Sequence, residues 1–194
     1  SSSEMYGYDS PSPFNELSEF KPNTAYAKAK HSVHLKSIKY QMEYEWNIVS
    51  GIMFNHESEF RNNDYLFMKI IKNAIDIKNN HKNSFTVGSL DLVRDWSFAG
   101  DFAEAIHLIC LEGNGENFVI GSGVGHSIGE LIKIVFDYFN LDSKEFIQLD
   151  SNNLRPGDPK EIISDPSKIK NKLNWEAKLG FEDLILRCIN KGNF

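Results

Sequence analysis

Apolar residues recur along this chain with two periods. Between Asp64 and Lys78, the residues Leu66, Phe67, Ile70, Ile71, Ala74 and Ile77 fall three and four apart, the spacing that gathers an apolar stripe on a helix. Asp101 to Leu111 repeats the pattern, with Phe102, Ala105, Ile106 and Ile109 on the side expected to be buried. Ser127 stands ahead of an apolar run with Glu130 three residues on, the form of a capping box, and predicts a helix to about Asn140. Further helices are predicted from a cap at Asn23 or Thr24 to about Glu45, from Pro166 to Lys172, and from Phe181 to Lys191. Shorter unbroken apolar runs read as strands: Trp46 to Phe54, expected to be buried on both faces, then Ser84 to Gly88, Asn117 to Ser122 and Phe146 to Leu149. Strands alternating with helices predict an α/β architecture around a parallel sheet. Residues 8–23, with Pro11, Pro13 and Pro22, read as an ordered loop, and Lys78 to Asn83 as a solvated helix end.

Composition narrows the partners. The 194 residues, 41% apolar and 25% charged, suit one soluble domain, or one domain with a small lobe. A net charge of −6 without a basic stripe argues against nucleic acid. No apolar run approaches the roughly 20 residues of a membrane span, and the polar first residues do not resemble a signal peptide, so a cytoplasmic protein is expected. Cys110 and Cys188 fall in apolar helical settings and are expected to be buried thiols. His31, His34, His81, His107 and His126 share no metal-ligand spacing, so no metal site is expected.

The candidate chemistry begins at the first residues. Ser2 and Glu4 offer a hydroxyl and a carboxylate, and Tyr26 and Lys30 lie four apart on a predicted helix, facing the same side. An ammonium beside a phenol favours the phenolate and makes it a usable base near neutral pH, which suits hydride transfer from an alcohol. Phe54, Asn55, His56, Glu57 and Ser58 then place polar groups where an open sheet offers its carboxyl ends to ligands. Gly121, Gly123 and Gly125 lack the GxGxxG spacing of a dinucleotide cradle and read as a strand-to-loop turn. No GxGxxG turn opens the sequence.

Ser2, Tyr26 and Lys30 match the Ser/Thr, Tyr and Lys of the short-chain dehydrogenase/reductase superfamily, in its extended, nucleotide-sugar-modifying branch. The run Phe54–Ser58, together with Gly88–Trp96, Asp101 and Asn171–Trp175, resembles the GDP-mannose 4,6-dehydratase family. The resemblance implies the C-terminal half of a Rossmann-like NAD(P)-binding fold with a small interleaved substrate-binding lobe. Residues 1–55 and 97–123 would form the sheet layer, and 56–96 and 124–194 the lobe. It further implies that Ser2 hydrogen-bonds the sugar O4, that Tyr26 removes the O4 proton, and that Lys30 binds the nicotinamide ribose and tunes Tyr26. Glu4 would take the C5 proton, a step that a simple 4-epimerase does not need. His56 and Arg61 match residues that touch NADP, with NAD also possible; Asn55, Lys69, Arg94 and Arg155 match residues on the nucleotide-sugar side. The implied activity is a lyase converting GDP-mannose or a related sugar nucleotide to its 4-keto-6-deoxy product. The alternatives are a catalytically silent nucleotide-sugar-binding or assembly module and a related epimerase or reductase. Homo-oligomers of such proteins pair through the Tyr/Lys helix, so this chain is expected to expose apolar surface there. One departure stands out: the family's Ser-Pro-Arg-Arg-Gly is here Ser58, Glu59, Phe60, Arg61 and Asn62. Glu59 is expected near the phosphates, where like charge costs affinity.

Overall fold

The computed structural model describes every residue except 8–10, 151, 153–157 and 193–194. Its scaffold is a set of parallel strand pairs with helices packed against them. A 3-10 turn, η1 (Ser3–Tyr6), leads through a loop to α1 (Ala25–Tyr44), and β1 (Ser50–Met53) and β2 (Asn55–Glu57) follow. The chain continues through α2 (Leu66–Lys78), β3 (Phe85–Val87), β4 (Val93–Arg94), β5 (Trp96–Phe98), α3 (Ala99–Glu112) and β6 (Asn117–Ile120). After these come β7 (His126–Ser127), α4 (Ile128–Tyr138), α5 (Ser143–Phe146), β8 (Ile147–Leu149), β9 (Glu161–Ile162), α6 (Ser167–Leu173) and α7 (Phe181–Lys191). β1 runs parallel to β6, β2 to β5 and β3 to β8. β4 lies between antiparallel β7 and parallel β9.

Local chemistry explains the main elements. Thr24 caps α1, its Oγ1 accepting from the Ala27 amide at 3.0 Å, and Ser127 caps α4 through the Glu130 amide at 3.0 Å. The Glu130 carboxylate does not complete a reciprocal box; it meets His126 Nδ1 at 3.0 Å, and the His126 ring stacks on Phe181. Apolar stripes of α2, α4 and α7 close one core around Phe67, Ile71, Leu131, Val135, Leu184 and Trp96. A second cluster joins Met5, Tyr6, Phe14, Ile52, Phe54 and Val119, and a third packs α3 on β6 and Trp175.

Several expectations are corrected. Trp46 to Val49 is not strand: Glu45 takes the left-handed conformation at φ 55, the chain crosses the surface with Trp46 exposed, and pairing starts where Asn117 faces Ser50. Within β1 only Ile52 is buried. Cys110 and Ile106 are exposed, because α3 turns Phe102, Ala105 and Ile109 inward. Cys188 is buried, and burial pushes its thiol up to about 12. Helix α1 buries only Ala27 and His34 and leaves Val33, Leu35, Met42 and Tyr44 in solvent.

Candidate active site

Ser2 pairs alongside Met53 in parallel bridge geometry, and Met53 is the last residue of β1, opposite Ile120 at the end of β6. Three segments therefore finish at one edge, the carboxyl end of parallel strands, where open α/β sheets present ligands. Ser2 caps η1, its Oγ accepting from the Glu4 amide at 3.3 Å, so Ser2 and Glu4 are fixed by one turn. Gly7 ends that turn at φ +73, where a Cβ would stand 2.0 Å from the Lys21 carbonyl oxygen; both facts require glycine. The loop that crosses there leads directly into α1.

Tyr26, Lys30 and His34 follow at intervals of four and form one stripe on α1. Lys30 Nζ stands 5.6 Å from the Tyr26 ring centre. His34 is buried, with Nδ1 3.0 Å from Ser1 Oγ, and its ring meets the edge of Phe20, which stacks on Tyr6. Tyr6 donates to the Asn15 carbonyl at 2.7 Å, and burial raises its phenol far above the ordinary value. This aromatic ladder holds α1 against η1, the turn carrying Glu4, while Tyr26 in the first turn of α1 stays exposed.

Asn55 and His56 continue from the same edge. The Phe54 carbonyl can only accept, so its 2.9 Å contact with His56 Nδ1 requires a proton on Nδ1. The ring stacks on Phe102 at 4.9 Å. Next to it Glu57 is buried, 3.4 Å from Arg61 Nε, and burial pushes it up to about 7 against the opposing pull of Arg61. Glu59 is also buried, and it is paired within the chain. Arg187 of α7 grips it with two bonds, 2.9 Å from Nε and 2.5 Å from Nη2, and these hold the carboxyl below its ordinary range.

The remaining predicted residues divide. Arg94 donates from Nη2 to Asp158 at 2.7 Å and from Nη1 to the Val93 and Pro159 carbonyls. Lys69 sits on the exposed side of α2, its amide bonded to the Tyr65 carbonyl. Arg155 lies outside the described residues. The glycine-rich segment is a strand-to-loop turn wrapped round Asp95: that carboxylate accepts from the Ser122 amide and hydroxyl, the Gly123 amide, and the Ser164 amide and hydroxyl. Gly121 is needed there because a Cβ would stand 2.3 Å from Ser164 Oγ. Asp95, Tyr65 and His34 received no functional role from sequence, and Glu57 only as one polar group of the run Phe54–Ser58; Arg94 beside Asp95, and His56 and Ser58 beside Glu57, give no local sign that these acids are buried. A cleft of about 500 Å³ between α3 and residues 174–178 lies away from this edge, and its Lys178 and Lys170 are paired to Glu104 and Glu176. Among the described residues no His, Cys, Asp or Glu group could hold a metal, and no helix is long and apolar enough to cross a membrane.

A family model described as GDP-mannose 4,6 dehydratase matches residues 1–188. The chain is 32% identical over 190 residues to GDP-mannose 4,6 dehydratase 2 of Arabidopsis thaliana, covering 98% of this chain and 51% of that one. It therefore spans about half the length of the curated relatives it matches. In fold it is similar to RMD from Pseudomonas aeruginosa complexed with NADPH, with a TM-score of 0.89 at 18% identity, covering 98% of this chain and 64% of that one. It is also similar to dTDP-glucose 4,6-dehydratase from Bacillus anthracis in complex with NAD, with a TM-score of 0.87 at 22% identity, covering 98% and 59%.

Proposed function

Because this chain belongs to the GDP-mannose 4,6 dehydratase family, we propose that it carries the sugar-processing site of a nucleotide-sugar 4,6-dehydratase, acting on GDP-mannose or a related nucleotide hexose. The observation that supports the reading is that Ser2 and Glu4 share one turn beside the end of β1, and that α1, which carries Tyr26 and Lys30, packs against that turn. In this reading residues 1–55 with 97–123 supply the sheet layer and 56–96 with 124–194 the lobe; the core of α2, α4 and α7 supports the lobe, while α6 and Trp175 pack on the sheet layer. The exposed apolar residues of α1 support a homo-oligomer.

The residues at this edge fit a nicotinamide dinucleotide, NADP before NAD. Lys30 stands beside Tyr26, and Arg61 offers a guanidinium with 31% side-chain exposure whose plane lies on Tyr65. Lys30, His56 and Arg61 would hold the dinucleotide. When bound, it supplies a hydride acceptor and donor. Ser2 orients the sugar O4, and Tyr26 removes the O4 proton as C4 is oxidised. The resulting carbonyl acidifies the C5 hydrogen, which Glu4 takes as a base and passes toward the departing C6 hydroxyl. Net redox change in the sugar nucleotide is zero, so the dinucleotide is recycled. Asn55, Lys69, Arg94 and Arg155 would address the nucleotide; Arg94 is already oriented by Asp158.

The test is turnover of GDP-mannose with NADP by the intact gene product in deuterated water. One solvent deuterium should enter at C5 while the C4 hydrogen reappears at C6. Tyr26→Phe should lower kcat by about 10²–10⁴-fold. Glu4→Gln should oxidise C4 yet fail to eliminate water. Binding of GDP-mannose without turnover would identify a silent binding module, and absence of both would remove the reading.

A further inference from the structure

Glu57, Arg61 and Tyr65 are spaced by four without lying on a helix. One turn is closed by the Arg61 amide on the Ser58 carbonyl at 3.0 Å, and the next by the Tyr65 amide on the Asn62 carbonyl at 3.2 Å. Together they leave Arg61 held on two sides: Glu57 Oε2 is 3.4 Å from its Nε, and its Cζ lies 3.7 Å from the Tyr65 ring centre. The hold on the acid side is incomplete. Glu57 Oε2 and Arg61 Nε are both buried and neither makes a hydrogen bond, so their attraction is Coulombic, without the bonds that normally compensate buried charge.

Neighbouring groups do not supply what is missing. Glu59, from the same loop, is committed to Arg187 of α7, with Lys191 one turn beyond, and Cys188 presents a protonated thiol. Asp101 of α3 accepts from the Lys178 and Leu179 amides, and β5 places Phe98 opposite Glu57. Arg61 thus answers Glu57 with its buried edge and keeps its other edge toward solvent.

We propose that the Glu57 carboxylate and a phosphate of the bound dinucleotide compete for Arg61, so that filling the site takes up a proton at Glu57, while Tyr65 keeps the guanidinium in plane. This rests on the reading of Arg61 as a dinucleotide contact. Glu57 already titrates at about 7, with Arg61 opposing its burial; a phosphate that draws off part of that attraction moves the midpoint higher. A ligand that raises a carboxyl pKa binds more tightly as pH falls, so affinity should weaken from pH 6 to pH 8.

Calorimetry of NADPH binding at pH 7 to the intact gene product, in two buffers of different ionisation enthalpy, counts the protons. Uptake should fall by about half a proton in Glu57→Gln relative to wild type; the ligand's own phosphates titrate alike in both. Equal uptake overturns the inference. Carboxyl ¹³C titration of the wild type needs no variant: the Glu57 midpoint should rise by about one pH unit with NADPH, equivalent to tenfold in affinity, and a static midpoint also overturns it. Tyr65→Phe should retain affinity while Tyr65→Leu loses it several-fold; equal affinities remove Tyr65 from the scheme. Arg61→Ala separates the two levels. Undiminished NADPH affinity there, or no binding by wild type, removes the underlying reading and the inference with it. A tenfold loss with unaltered Glu57 proton uptake keeps the reading and removes the inference.

Discussion

At the scale of single residues the chemistry is set by which charges find partners. Glu57 and Glu59 are two apart and both buried, yet Arg187 gives Glu59 two hydrogen bonds and Arg61 gives Glu57 none. Their pH behaviour is therefore opposite. Glu59 is held below its ordinary range and contributes stability that is lost as pH falls. Glu57, raised from 4.5 to about 7, binds a proton more readily in the folded chain than in the unfolded one. Its contribution is thus fully present below the unfolded value and is lost as pH rises through about 7. Glu57→Gln should leave stability at pH 4.5 nearly unchanged and increase it at pH 8 by on the order of 2–3 kcal/mol, read from urea denaturation at the two pH values. A variant equally stable with wild type at both would show that Glu57 is solvated.

At the scale of elements, α1 is the part whose position matters most and whose burial is least. Its contact with the rest depends on Ala27, His34 and the Phe20 ring between His34 and Tyr6. Phe20→Ala should cost about 3 kcal/mol and speed amide exchange in α1 while leaving α2 and α4 protected; uniform protection would show that the ladder does not hold the helix. The same element shows how far sequence carried. Thr24, the Tyr26–Lys30 spacing and the strip of α2 from Leu66 to Ile77 are local signals, and local signals placed the helices. Ladder partners separated by loops, such as Phe20 with Tyr6, have no period to betray them. Strands of two or three residues, such as β4, β7 and β9, are too short to alternate and were not predicted. The pairing of Glu59 was illegible for the same reason: its partner Arg187 lies on α7, and charge alone does not say which way a side chain turns.

At the scale of the whole molecule, Asp95 joins parts that separate apolar clusters do not. It ties the turn after β6 and the segment after β9 to the β4–β5 corner. Asp95→Asn replaces one accepting oxygen by a donor facing donors. It should cost about 3 kcal/mol and separate melting of the α2–α4–α7 core from that of the β1–β6 layer in calorimetry; a single unchanged transition would show that the apolar contacts suffice. The bond between Glu59 and Arg187 spans 128 positions, and that distance has a consequence for how the chain is made. On the ribosome, the strand and loop bearing His56 and Arg61 emerge long before Arg187, with two carboxylates and one guanidinium to share among them. That loop cannot reach its final charge balance until synthesis has passed Arg187 and α7 has docked, so its settling is a late step of biogenesis, set by a long-range contact.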